Sequence, residues 1–361
     1  MKIIYNFSAG PAMLPVSVMK RVKEEFNNWK KLGISILEIS HRSEQFMEHI
    51  YDIEMDLREL LNIPENYKVL FCHGGARGQF SAVPMNLLNT NSNPDYIDNG
   101  YWSHAAFVEA KKYCSPNLIK VQKIVNNNVY ILPMHDWKIS TKSSYIHYCP
   151  NETIEGIAIN EEPFFNDKLI VGDFSSTILS RVINIKKYGI IYASAQKNIG
   201  VSGITLIIIR NDLLHTKNIV IPSILDYKKI AKHSSLFNTP STFSWYVSGL
   251  VFKWLKNKGG VKNIQNINTV KANLLYNTID KSNLYINNID KNNRSYMNVT
   301  FKLSNYKLNK IFLEESLENG LYALKGHRIV GGFRASIYNA MSIKGVKKLI
   351  EFMVYFENKY G

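Results

Sequence analysis

One lysine stands alone among small residues in Ala193-Ser-Ala-Gln-Lys197-Asn-Ile-Gly200, just after a buried apolar run. Surface lysines usually have polar neighbours. A lysine confined beside apolar groups loses solvation as a cation, so its free amine becomes accessible as a nucleophile. Covalent chemistry at a carbonyl carbon requires such an amine. The competing reading is a strand-end lysine whose stem packs and whose ammonium reaches water. Asp173 lies 24 residues earlier, in Val171-Gly-Asp-Phe-Ser-Ser-Thr177, after the apolar run Lys168-Leu-Ile-Val171. A carboxylate and a lysine at the ends of two strands occupy the ligand edge of an open α/β sheet. Asp173 alone can equally cap the turn that follows it.

The pair suits pyridoxal phosphate. That cofactor needs an amine for its aldehyde, and a carboxylate that keeps its ring nitrogen protonated so the ring accepts electrons. Gly74-Gly-Ala-Arg-Gly78 can cradle a phosphate through backbone N–H groups at a helix start. It lacks the Lys-Ser/Thr of a Walker A loop and the spacing of a dinucleotide motif, and glycine turns before helices are routine. Trp102, in Asn99-Gly-Tyr-Trp-Ser103, can stack on a flat ring or fill a core. Arg42 beside His41, His327-Arg328, and Arg334 among small and apolar residues are cations suited to carboxylate or phosphate.

Elements must position these groups. Ile50, Ile53, Leu57 and Leu60 recur at helical spacing, Ser43 can cap and Pro64 ends the pattern, which predicts a helix over 43–62. Residues 68–72 read as a strand, 73–78 as a turn, and a helix begins near Gln79. The apolar runs 168–171, 189–192 and 204–209 predict strands of a parallel sheet covered on both faces, and the helical stretches between them make the first two-thirds α/β. Beyond about 262 the texture changes. Met297, Val299, Phe301 and Leu303 alternate with polar residues, a helix spans about 307–319, and a closing helix places Val346, Leu349, Ile350, Met353 and Val354 on one stripe. The N-terminal 15 residues look irregular, and 279–294 looks like surface loop and helix.

At 361 residues the chain is too long for one small core and suggests two domains. The formal charge of +15 permits a nucleic-acid partner. However, the basic residues are scattered pairs with no run of five, and 39 Asn alongside abundant Ile and Tyr point to AT-rich coding rather than to a basic arm. Cys72, Cys114 and Cys149 form no CxxC pair, so neither a disulfide framework nor a metal site is expected, and a reduced cytoplasmic setting is. No apolar run approaches the roughly 20 residues of a membrane span. No signal peptide is expected, because Asn6 and Pro11 interrupt the start.

Taken in order, Asn6-Phe-Ser-Ala-Gly-Pro-Ala-Met-Leu-Pro15, Gly74–Phe80, Gln196-Lys197-Asn198, Phe237-Asn-Thr-Pro240, Lys325-Gly-His-Arg328 and Gly331-Gly-Phe-Arg334 resemble the phosphoserine aminotransferases, most nearly the bacterial ones. These are class V, fold-type I pyridoxal-phosphate enzymes, and the resemblance runs from about residue 4 to the C-terminus. It implies a large domain over 16–262 with a mostly parallel central sheet and a smaller α+β domain over 263–361. Residues 1–15 would pack near the small domain.

The resemblance also implies site roles. Lys197 would hold one pyridoxal phosphate per subunit covalently, and Asp173 would pair with the ring nitrogen. Trp102 would stack on the ring and Thr153 hydrogen-bond the cofactor. Ala76, Arg77 and Gln196 would contact its phosphate. Asn238 and Thr239 would reach the phosphate of the neighbouring subunit, making a homodimer with shared sites. Arg42, His327 and Arg328 would read the substrate's phosphate or distal carboxylate, and Arg334 its α-carboxylate. The implied reaction is ping-pong exchange between glutamate and 3-phosphohydroxypyruvate, giving O-phosphoserine and 2-oxoglutarate in serine biosynthesis. Phosphohydroxythreonine in pyridoxine biosynthesis is a second implied substrate.

Three departures stand out: Ala76 where glycine is usual, Val201-Ser202 for Pro-Ala, and Gly172 for alanine. None removes a reacting group. Three rivals remain. One is another class V aminotransferase, such as a serine–glyoxylate enzyme. Another is a cysteine desulfurase, which needs a mobile cysteine. The last is a non-enzymatic binding protein that kept the fold.

Overall fold

The computed structural model describes residues 3–88, 93–165, 167–215 and 220–361. Its centre is a seven-stranded sheet in the order Tyr67–Cys72, Thr205–Arg210, Ile190–Ser194, Ile170–Asp173, Ile146–Tyr148, Asp95–Asp98, Asn117–Lys120. Thr205–Arg210 runs antiparallel to both of its neighbours; the other pairings are parallel. The expectation of parallel strands therefore fails at this one strand. A fully buried apolar run carries no mark of its direction, because both faces need apolar residues either way.

Alternate residues of the strands enter two different cores. Ile191 and Ala193 join one cluster with Phe46, Ile53 and Leu57, whereas Ile190 and Tyr192 join another with Phe80, Val83 and Tyr96. Both faces are covered, as the continuous apolar strands require. The helix expected over 43–62 spans Glu44–Leu61. The Ser43 hydroxyl accepts the Phe46 N–H at its start, and Asn62 turns left-handed at its end. The helix expected from Gln79 instead starts at Gly75. Gly74 and Gly75 carry the chain through φ of 89° and 63°, values that favour glycine. The turn is thus two residues long, and Ala76 and Arg77 lie in the first helical turn.

A separate core gathers the C-terminal part. A three-stranded antiparallel sheet (Tyr285–Ile286, Asn298–Leu303, Phe333–Ser336) packs with the closing helix Ile343–Tyr360. That helix buries Val346, Leu349, Phe352, Met353 and Phe356, while Val354 is exposed. The N-terminal segment joins this core. Tyr5–Asn6 pairs in parallel with Leu321–Tyr322, and Phe7 is fully buried there. The boundary expected at 262/263 falls inside the helix Gly260–Asp280, whose Val261 and Ile264 enter the first core and whose Leu275 and Ile279 enter the C-terminal one. Among the described residues no helix is long and apolar enough to cross a membrane.

Candidate active site

Five strands of the sheet end along one edge: Cys72, Asp98, Tyr148, Asp173 and Ser194 are their last residues, and all five strands run the same way. The residues just beyond them line a cavity of about 300 Å³. Gly74, Gly75, Ala76, Arg77, Trp102, Asn151, Thr153, Asp173, Gln196 and Lys197 are among its walls. The carboxyl edge of a doubly wound sheet is where such folds bind ligands, because successive loops open there.

Lys197 and Asp173 share this cavity, and the structure joins them to much of the expected set. Lys197 Nζ donates to Thr153 Oγ1 at 2.6 Å. Arg334 Nη1 donates to the Thr153 carbonyl at 3.2 Å. His327 lies 6.2 Å, ring to ring, from Tyr101, next to Trp102. Burial, then the charges of Arg334 and Arg328, hold its imidazole below the ordinary value. The charges of Arg328 and Arg334 thus reach His327, but none of the three is among the residues lining the lysine's cavity. Trp102 is half-buried in the cavity wall rather than a core residue, with the Arg77 guanidinium 5.2 Å from its ring centre and its Nε1 without a partner. Arg42, Asn238 and Thr239 are exposed and do not line this chain's cavity. Asn238 Nδ2 lies 3.1 Å from Nε2 of His73, the residue before the glycine turn.

Asp173 is both a turn residue and a cavity residue. Its Oδ1 accepts the Ser175 N–H at 2.9 Å. Burial pushes its carboxyl above the ordinary range; hydrogen bonds from Ser175, the Lys197 charge and the Tyr192 hydroxyl oppose that push. Behind it, Tyr192 Oη and His147 Nε2 are 2.8 Å apart. Burial lowers the His147 pKa to about 3, so its ring is neutral, and its Nδ1 has no partner. The tautomer that fits carries the proton on Nε2. It donates to Tyr192 and leaves that hydroxyl free to donate to Asp173.

Several site residues carried no signal in the sequence analysis. Glu152 and Glu155 hold the start of the helix Tyr101–Ala110. Glu152 accepts the N–H groups of Trp102 and Ser103 at 2.9 and 2.8 Å, and Glu155 accepts that of Tyr101 at 3.0 Å. Carboxylates at a helix N-terminus are favourable, and here they fix the backbone that carries Trp102. Burial raises the Glu152 pKa, and the neighbouring Glu155 raises it further. A Cβ at Gly100 would collide with the Glu152 side chain, so this position needs glycine. Gly10 packs on Lys197: a Cβ there would sit 3.6 Å from Lys197 Cγ, and φ is +149°.

Ser194 Oγ accepts the Ala76 N–H at 2.7 Å, tying the glycine turn to the lysine strand. Asn198 Oδ1 accepts the Asn339 N–H at 3.1 Å, and buried Lys271 donates to the carbonyls of Ile337, Tyr338 and Met341. The first bond ties the C-terminal part to the lysine turn, and the Lys271 bonds tie it to the helix Gly260–Asp280. Cys149 also lines the cavity. Burial, then Glu152 and Asp173, hold its thiol protonated, so it is no ready nucleophile.

The residues fit pyridoxal phosphate on their own chemistry. A buried carboxylate strained by desolvation asks for a cation, and the cavity offers an amine, a helix start and an indole with an unpartnered N–H. The aminotransferase class-V family matches residues 4–349. The chain is 60% identical over 361 residues to a phosphoserine aminotransferase of Buchnera aphidicola subsp. Acyrthosiphon pisum (strain Tuc7), with the whole of both chains covered. A solved phosphoserine aminotransferase, studied for radiation damage of its Schiff base, aligns at TM-score 0.96 and 40% identity, covering 99% of this chain and 100% of that one. A PLP-bound phosphoserine aminotransferase from Trichomonas vaginalis aligns at TM-score 0.91 and 37% identity, over 97% and 99% of the two chains.

Proposed function

The chain belongs to the class-V aminotransferase family, and from that premise we propose that it transaminates 3-phosphohydroxypyruvate with glutamate, in serine biosynthesis. Lys197 and Asp173 on the walls of one cavity carry the reading. Pyridoxal phosphate, when bound, supplies an electrophilic carbon and an electron-accepting ring. Lys197 would hold it covalently; in the free lysine its Nζ donates to Thr153 Oγ1. With its amine free, Lys197 would take the proton from the substrate Cα and, as the resulting ammonium, would give that proton back to the carbon that receives it in the exchange, so that no net proton is lost. Asp173 would hold the proton on the ring nitrogen. The Tyr192–His147 pair behind it orients the carboxylate, and the Tyr192 hydroxyl opposes the upward push of burial. The start of the helix Gly75–Leu87, with Ala76, Arg77 and Gln196, holds the phosphate. Arg334 grips the α-carboxylate. A homodimer in which Asn238 and Thr239 complete the neighbour's site, and a cytoplasmic location, belong to the same proposal.

The test is the absorbance of the purified protein. Glutamate and phosphoserine should each shift its visible band, whereas serine should not. A band that serine shifts as readily as phosphoserine points instead to a serine–glyoxylate type of enzyme. The cationic group makes a finer prediction. Burial, then the charges of Arg334 and Arg328, lower the His327 pKa, and a bound phosphate, with more charge and more acceptor oxygens than a carboxylate, gains most from the whole set. Arg328→Ala should slow the phosphoserine half-reaction about 10- to 100-fold, the worth of a charge-assisted hydrogen bond, and the glutamate half-reaction less. Equal losses in single-turnover traces would refute the assignment.

A further inference from the structure

A lysine that the proposed chemistry leaves idle is fully buried on the helix Gly260–Asp280. Lys271 Nζ donates to the carbonyls of Ile337, Tyr338 and Met341 at 2.9, 2.8 and 3.0 Å. Only the ammonium has three N–H groups, so three acceptors call for the cation. Burial lowers its pKa to about 7, and no carboxylate offsets that effect. A buried charge without a counter-charge is costly. An apolar side chain of similar length would fill the same space without that cost, but it would bring no donors. Carbonyls gathered on one point turn the negative ends of their dipoles together. A cation among them offsets that repulsion, as a potassium ion does among backbone carbonyls.

The three carbonyls belong to the turn 337–341, between the strand Phe333–Ser336 and the closing helix. The surroundings of Lys197 lean on this same turn. The Asn339 N–H donates to Oδ1 of Asn198, the residue after Lys197, at 3.1 Å. Asn198 Nδ2 donates in turn to the Ser176 carbonyl at 3.3 Å, in the turn that follows Asp173. The Tyr338 hydroxyl donates to the Ala9 carbonyl at 2.7 Å, one residue before the glycine that packs on the Lys197 stem. Asn268, on the same helix as Lys271, donates to Asn339 Oδ1 at 2.9 Å. One helix therefore sets a turn that supports Lys197 from two sides, through Asn198 and through the N-terminal segment.

We propose that Lys271 is a positioning residue for the transamination, its ammonium taking the part of a monovalent cation that gathers residues 337–341 into the turn against which Lys197 is set. The assignment rests on the function proposed above.

Rates, absorbance and melting of the cofactor-loaded wild type and two variants test it. Lys271→Met fills the space without donors. Its turnover per bound cofactor should fall at least about tenfold, a loss in keeping with a displacement of about 1 Å or less at a reacting group. KM for glutamate should change less than about threefold, because Arg334 keeps its strand pairing opposite Thr300. Lys271→Ala should lose as much turnover and regain part of it in propylammonium, which supplies the carbons and the nitrogen that the substitution removes. Propanol should restore nothing. Lys271→Met, with its space filled, should not respond to the amine, which separates rescue from any action of the amine on the cofactor. Unchanged turnover per bound cofactor in Lys271→Met, loss of the fold in both variants, or no response of Lys271→Ala to the amine would overturn the assignment and leave the reaction in place. A wild type whose visible band glutamate does not shift would instead remove the transamination reading, and the assignment with it.

Discussion

Lys197→Ala should abolish turnover to at least about 10⁴-fold below wild type, the upper range for losing one positioned acid–base group, while the protein stays folded. The two effects separate because the side chain does little for the fold. Lys197 is half-buried, and its amine makes one side-chain hydrogen bond, to Thr153 Oγ1. Losing such a bond costs about 1 kcal/mol, a small part of the stability of a chain with three continuous cores. On the proposed function, the variant loses both the covalent anchor and the base at the substrate Cα. Lys197→Arg separates charge from nucleophilicity. The guanidinium keeps the charge but does not deprotonate, so it should be as inactive as the alanine. Small free amines should restore part of the activity of the alanine variant. Steady-state rates, absorbance spectra and melting curves on the three proteins decide it. A variant retaining a tenth of wild-type turnover would remove Lys197 from the mechanism.

Much of this site was legible in the sequence because its main residues lie at the ends of apolar runs. Asp173 and Lys197 each follow a strand that announces itself by composition, and strand ends on one sheet edge converge whatever the exact register. The helix Glu44–Leu61 was legible for a similar local reason: period, cap and stop all lie within the segment. Contacts across the chain were not. Glu152 and Glu155 act on a helix about fifty residues earlier, and nothing in Asn-Glu-Thr-Ile-Glu marks them as its caps. Gly10 meets Lys197 because the N-terminal segment folds back through a two-residue strand, which is too short for any periodicity to reveal. The direction of Thr205–Arg210 was hidden by its burial on both faces. Asn238 and Thr239 are exposed in the single chain, and the role proposed for them is one that sequence periodicity does not address.

Asp173→Asn should cost about 10²- to 10³-fold in turnover, the range for removing one preorganised electrostatic partner, and should change stability in opposite directions with and without cofactor. The sign follows from burial. In the cofactor-free protein the carboxyl is raised above its ordinary value, chiefly by desolvation. A raised acid binds its proton more tightly folded than unfolded, so the native state loses stability as pH climbs past the ordinary carboxylate range and the loss levels off above the raised value. Asparagine carries no charge to desolvate, and its amide oxygen can still accept from the Ser175 N–H that now bonds Oδ1. The cofactor-free variant should therefore melt at or above wild type at neutral pH, with the difference fading as pH falls to the point where both side chains are neutral. With cofactor bound, wild type gains a cation beside its buried charge and the variant does not, so the loaded variant should melt lower. Calorimetric scans of both forms across pH, read beside the rates, separate a residue that holds a proton on the ring from one that only caps the turn at Phe174. If the variant melts lower in both forms and keeps its turnover, capping is all that Asp173 does.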